Sequence, residues 1–158
     1  MDREYIAWDS PTLGRRMEML WFGHAGKPMI WFPTSAGRFY QNEDFGLVGA
    51  IGDLVENGVI QICCVDSVDS ESFYAKSLHP SMRIRRHDQY DHYLANEVVP
   101  FVRSKARTGS RVATLGASFG AYHGRVEPPT GSEESPRQGG LAVPWAGRQI
   151  RRRPAMRG

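Results

Sequence analysis

Cysteine is nearly missing from this chain: there are two, Cys63 and Cys64, side by side in an apolar run. Neighbours on a strand point to opposite faces and cannot easily bond to each other, so a disulfide framework is excluded and both are expected as reduced core thiols. Long apolar runs are missing too. No stretch approaches the ~18 consecutive apolar residues of a membrane span, and Met1-Asp2-Arg3-Glu4 is charged where a secretory signal would be apolar. A soluble cytoplasmic protein with no membrane partner is the expectation. A basic excess is missing from most of the chain: Met1–His123 holds 13 Lys and Arg against 14 Asp and Glu. The net charge of +3 therefore belongs to 124–158, with 7 Arg against 3 Glu. That distribution gives no expectation of a specific nucleic-acid partner for the globular part.

What is present reads as one α/β domain. Tyr5-Ile6-Ala7-Trp8 and Arg16–Phe22 are β-prone, and Met29-Ile30-Trp31-Phe32 is apolar on both faces, as in a central strand covered on both sides. From Phe45 to Glu56 apolar residues recur at helical spacing, with Asn57-Gly58 as the stop. Val59–Val65 follows as another doubly buried strand. Ser67–Arg86 reads as a long polar loop with aromatic insertions, long enough to be suspected of function. His87–Arg103 reads as a second helix, which Pro100 should kink or shorten. Alternating strands and helices with two-sided apolar strands predict a mostly parallel sheet flanked by helices.

The chain is organised around Arg111–His123, where a short apolar run stops at Gly116-Ala117-Ser118-Phe119-Gly120. This Gly-x-Ser-x-Gly spacing suits a serine held on a sharp strand-to-helix turn, with small flanking residues letting strand and helix crowd together. The following helix would aim unpaired N–H groups and its positive end at an oxyanion forming there. Gly124 to Gly158 then changes character: half of the ten prolines lie there, with no Asp, Phe, Tyr or Lys. Such text cannot bury enough surface to offset its ordering entropy, so 124–158 is expected to be a disordered Gly/Pro/Arg-rich tail, of a kind that out-of-frame reading of a high-GC gene produces.

On three pieces, Met29–Phe39, His87–Phe101 and Gly116–His123, the chain resembles the branch of the α/β-hydrolase superfamily that includes esterase D-like and S-formylglutathione hydrolase-like enzymes. The resemblance covers 1–123. It implies an incomplete α/β-hydrolase fold ending just after the nucleophile elbow, and a carboxylic ester hydrolase acting on small-molecule esters with Ser118 as nucleophile. It also implies an oxyanion hole made by the backbone N–H of Phe119 and one from the loop after the central strand, around Ser35. The superfamily's triad runs serine, acid, histidine in chain order. Here no Asp follows Asp91, and His123, the one later histidine, would project from a different face of its short helix. The expectation is a truncated form with little or no activity. The alternative is a non-catalytic α/β scaffold or binding protein whose basic tail meets acidic partners.

Other candidates read more plainly. His87, Asp88, Asp91 and His92 form two i,i+4 His/Asp pairs, a spacing that shares a helix face, but acidic residues near a helix start also complement its dipole. No metal and no cofactor are expected. His24, His79 and His123 read as surface or satisfied groups, and Arg83, Arg85, Arg86 and Arg151-Arg152-Arg153 as solvated charge. With later strands missing, the strand bearing Ser118 should become an exposed sheet edge and favour self-association.

Overall fold

The computed structural model describes residues 1–124 and the backbone of Leu141–Ala142. Positions 125–140 and 143–158, and with them nearly all of the tail expected to be disordered, lie outside the described residues. A six-stranded sheet has the order β1-β2-β4-β3-β5-β6, made of β1 (Arg3–Ser10), β2 (Arg15–Phe22), β3 (Lys27–Phe32), β4 (Ile60–Val65), β5 (Ala113–Gly116) and β6 (Leu141–Ala142). The hairpin β1–β2 and the β2–β4 pair are antiparallel; β4–β3, β3–β5 and β5–β6 are parallel. Among the described residues the sheet is thus mixed, with its parallel part centred on the two-sided apolar strand β3.

Strand alternation sends the core to both faces. Met19, Trp21, Ile30, Phe32, Cys63 and Val65 pack in one buried cluster with Tyr90, Leu94, Val98 and Val102, while Leu20, Phe22, Trp31, Ile62 and Cys64 pack in another with Val48 and Val55. Cys63 and Cys64 are free and buried on opposite faces, as their adjacency on a strand requires.

The helices depart from expectation in instructive ways. The single helix expected over Phe45–Glu56 is two short pieces, α2 (Leu47–Ala50) and α3 (Gly52–Glu56), preceded by a further short helix α1 (Gln41–Asp44). Gly46, left-handed at φ 70°, and Ile51, at φ −115°, interrupt it, and only part of the apolar stripe reaches the core: Val48 and Val55 are buried, whereas Phe45 and Leu54 are exposed. The second helix starts earlier than expected. α4 runs Pro80–Tyr93, opened by Pro80 in its first turn and by His79, whose Nδ1 accepts the Ser81 N–H. A π turn over Leu94–Val98 leads into α5 (Val99–Ala106), which ends at Arg107 in a left-handed conformation, φ 52°. Pro100 sits in the first turn of α5, so its missing N–H and its ring fall on the preceding turn, which is the π stretch.

α6 (Phe119–His123) follows β5. β6, inside the segment expected to lack structure, pairs with Leu115 and Gly116. The strand bearing Ser118's turn is therefore not left bare at that end, a correction to the expected open edge. Among the described residues no helix is long and apolar enough to cross a membrane.

Candidate active site

β3, β4 and β5 run parallel, so the loops leaving their C-terminal ends emerge side by side, where parallel α/β sheets hold their ligands. Register fixes the closest approach: Phe32, the end of β3, lies beside Gly116, the end of β5. Two residues on, Ser118 takes φ 57°, ψ −126°, a backbone region that an L side chain rarely adopts. Its side chain is exposed at the head of α6. Holding a non-glycine residue there costs about 1–3 kcal/mol, so the surroundings must over-determine it. They do so by crowding. A Cβ on Gly116 would overlap the backbone of Gly120, and one on Gly120 would overlap the Pro33 carbonyl oxygen. The two glycines let strand, turn and helix interlock, as the sequence pattern requires.

The loop after β3 carries a second strained residue, Ala36, at φ 54°. Its backbone donors are nearly all engaged: the Thr34 N–H donates to Gln41 Oε1 (2.7 Å), that of Gly37 to the Thr34 carbonyl (2.9 Å) and that of Ala36 to Asp69 Oδ2 (3.0 Å). Within Thr34–Gly37 the N–H of Ser35 is left without an acceptor among the described residues, as is that of Phe119 at the start of α6.

Asp69 was not singled out in the sequence, yet it joins the two loops. It lies in a 3-10 turn (Asp69–Glu71) after β4 and is buried at 1% exposure. One oxygen accepts from Ala36; the other, Oδ1, accepts from Nε2 of His123 at 2.9 Å. A single carboxylate thus fixes the loop holding Ser35 and the helix headed by Ser118. The only sequence signal was its place, just past a buried strand at the start of a long loop. Its neighbour Asp66 is also buried. Burial raises the Asp66 carboxyl above the ordinary range, while Arg38, at 2.8 Å, pulls it back down.

His123 is buried in the interior. Its ring lies against Phe32, Tyr90, Phe119 and His87, and among the described residues no side chain is hydrogen-bonded to Ser118 Oγ. His87, on α4, is buried with Nε2 3.6 Å from Asp91 Oδ2. Burial lowers the His87 imidazole below its ordinary value, with Asp91 opposing, and raises the Asp91 carboxyl above its own. Asp88 and His92 do not join them: His92 turns its Nδ1 to the Asp88 carbonyl at the surface. Of the arginines, Arg86 pairs with Glu71 at 2.6 Å, and Arg83 donates to the Phe73 carbonyl oxygen. Arg151-Arg152-Arg153 lie outside the described residues.

The fold is the α/β-hydrolase fold. The solved structures it resembles include MPT51 of Mycobacterium tuberculosis, at TM-score 0.53 and 19% identity over 78% of this chain and 44% of that one. The fluorophosphonate-binding serine hydrolase F of Staphylococcus aureus matches at TM-score 0.52 and 16% identity, over 77% of this chain and 49% of its own. A ferulic acid esterase matches at TM-score 0.59 and 13% identity, over 78% and 52%. The chain spans about half the length of these structures. No protein-family model matches the sequence, and no curated protein does.

Proposed function

We propose that the chain belongs to a serine hydrolase acting on carboxylic esters, with Ser118 as the nucleophile. The observation that carries this reading is the strained, exposed Ser118 at φ 57°, ψ −126°, between two glycines that tolerate no side chain. A backbone so held presents a hydroxyl to an acyl carbon rather than to its own helix. The unengaged N–H groups of Phe119 and Ser35 form the oxyanion hole, receiving the negative charge that develops on the carbonyl oxygen as the serine adds. Asp69 positions both donors through Ala36 and His123. A small ester enters from solvent at the C-terminal ends of β3 and β5.

Nothing among the described residues accepts the Ser118 proton, and an unassisted hydroxyl is a poor nucleophile at neutral pH. Activity of this chain alone is accordingly low; an oxyanion hole without its triad leaves on the order of 10³ over water. The test is p-nitrophenyl acetate hydrolysis by the chain and by Ser118→Ala. Slow turnover that disappears with the hydroxyl is expected. Equal rates in the two proteins would remove Ser118 from the chemistry and leave a non-catalytic scaffold.

A further inference from the structure

The buried interior beneath the elbow holds a group of titratable side chains, none of which takes part in a step of the proposed ester hydrolysis. His87 and Asp91 share a face of α4, and α6 brings His123 to them; one ligand atom from each lies within 4.8 Å of the others. Both imidazoles are buried, with His87 at 5% and His123 at 1% exposure. Each keeps a buried Nδ1 that has no hydrogen-bond partner among the described residues. Buried ring nitrogens are ordinarily satisfied, and two imidazoles that each leave one unsatisfied, gathered beside a carboxylate with His87 Nε2 3.6 Å from Asp91 Oδ2, require an explanation.

We propose that His87, Asp91 and His123 bind a divalent transition-metal ion, zinc by preference, which staples α4 to the elbow helix. Two imidazoles and one carboxylate are a borderline donor set suited to zinc, whereas magnesium and calcium take oxygen ligands almost throughout. The second shell is already built. Asp69 accepts from His123 Nε2, which fixes the tautomer that leaves Nδ1 free to ligate, the arrangement carboxylates commonly impose on metal-bound histidines. Phe73 and Tyr122 against His87, and Phe119 against His123, make the surroundings apolar. Asp91 is half-exposed, and a water from solvent would complete a four-coordinate site. Closing around an ion at about 2.0–2.1 Å requires the three donors to draw in somewhat, which side-chain rotation supplies. The i,i+4 pair on α4 was visible in the sequence; the third ligand came from another element and was not. The inference does not depend on Ser118 or on any catalytic step.

The experiment is calorimetric titration of the chelator-treated full chain with zinc chloride, alongside thermal unfolding and the visible spectrum of the cobalt-substituted protein. One equivalent should bind and raise the unfolding temperature, and cobalt should give the intense bands of a four-coordinate site. Asp91→Asn, half-exposed and near-isosteric, should weaken binding by about tenfold or more. His92→Ala and Asp88→Asn should leave it unchanged. A circular dichroism spectrum equal to that of the parent establishes that Asp91→Asn is folded, and His87→Gln provides a second loss of ligand. Absence of saturable binding at one equivalent overturns the proposal. So does binding that survives Asp91→Asn and His87→Gln undiminished, or that goes with His92.

Discussion

Ser118 is held against its own preference, and that should be measurable as stability. Glycine adopts φ near 57° without the Cβ clash that serine and alanine both suffer, although it loses more chain entropy on folding. Ser118→Gly should therefore be more stable to urea than Ser118→Ala, by about 1 kcal/mol after the entropy is offset. Both lack the hydroxyl, so the difference reads backbone strain less the extra chain entropy of glycine. Equal midpoints would mean the turn is relaxed, and the argument for a presented nucleophile would lose its footing. Strain of this kind is legible in a Gly-x-Ser-x-Gly pattern because the two glycines record the crowding: the groups that a Cβ would meet are Gly120 for Gly116 and Pro33 for Gly120. Asp69 left no such record. Its role comes from one contact to Ala36 and another to His123, and no local pattern in a sequence encodes where two distant loops will meet.

At the scale of elements, Glu71 ties the turn that carries Asp69 to the rest of the fold. It is bonded to Arg86 on α4 and to Arg15 on β2. Burial works to raise its carboxyl, but the two guanidinium groups outweigh it and hold the value below the ordinary 4.5. A carboxyl depressed by folding contributes stability that is complete above 4.5 and fades as pH falls through its lower folded value. Acid unfolding of the wild type should steepen in that window, and Glu71→Gln should flatten it while changing little at pH 7 relative to its own acid limb. Midpoint temperatures between pH 3 and 6 check this; parallel curves for the two proteins would count against the pairing. Among the elements, the strands were legible because β3 and β4 are apolar on both faces and bounded by turns. The start of α4 was not: Met82 and Ile84 are exposed there, so no apolar stripe marks the first turns, and the informative residues were instead the capping His79 and Pro80. The reverse error occurred over Phe45–Glu56, where apolar spacing exists but Gly46 takes a left-handed turn and half the stripe faces water.

For the molecule as a whole, the sheet divides the core into two faces, and Cys63 and Cys64 report on one each. Burial pushes the Cys64 thiol up to about 12 and raises that of Cys63 as well, so neither offers a thiolate near pH 8. Ellman's reagent should find no reactive thiol in the native chain and two after denaturation. One fast thiol would show that one face is loosely packed, and its identity would say which. The bridge made by Asp69 has a further consequence, for the order in which the chain can assemble. Its partners lie 33 residues before it and 54 after it, so neither contact forms from local structure. Ring closures of that span wait until most of the chain has condensed. The geometry of the proposed site is then a late product of folding, reached only when α6 settles against turns made long before it.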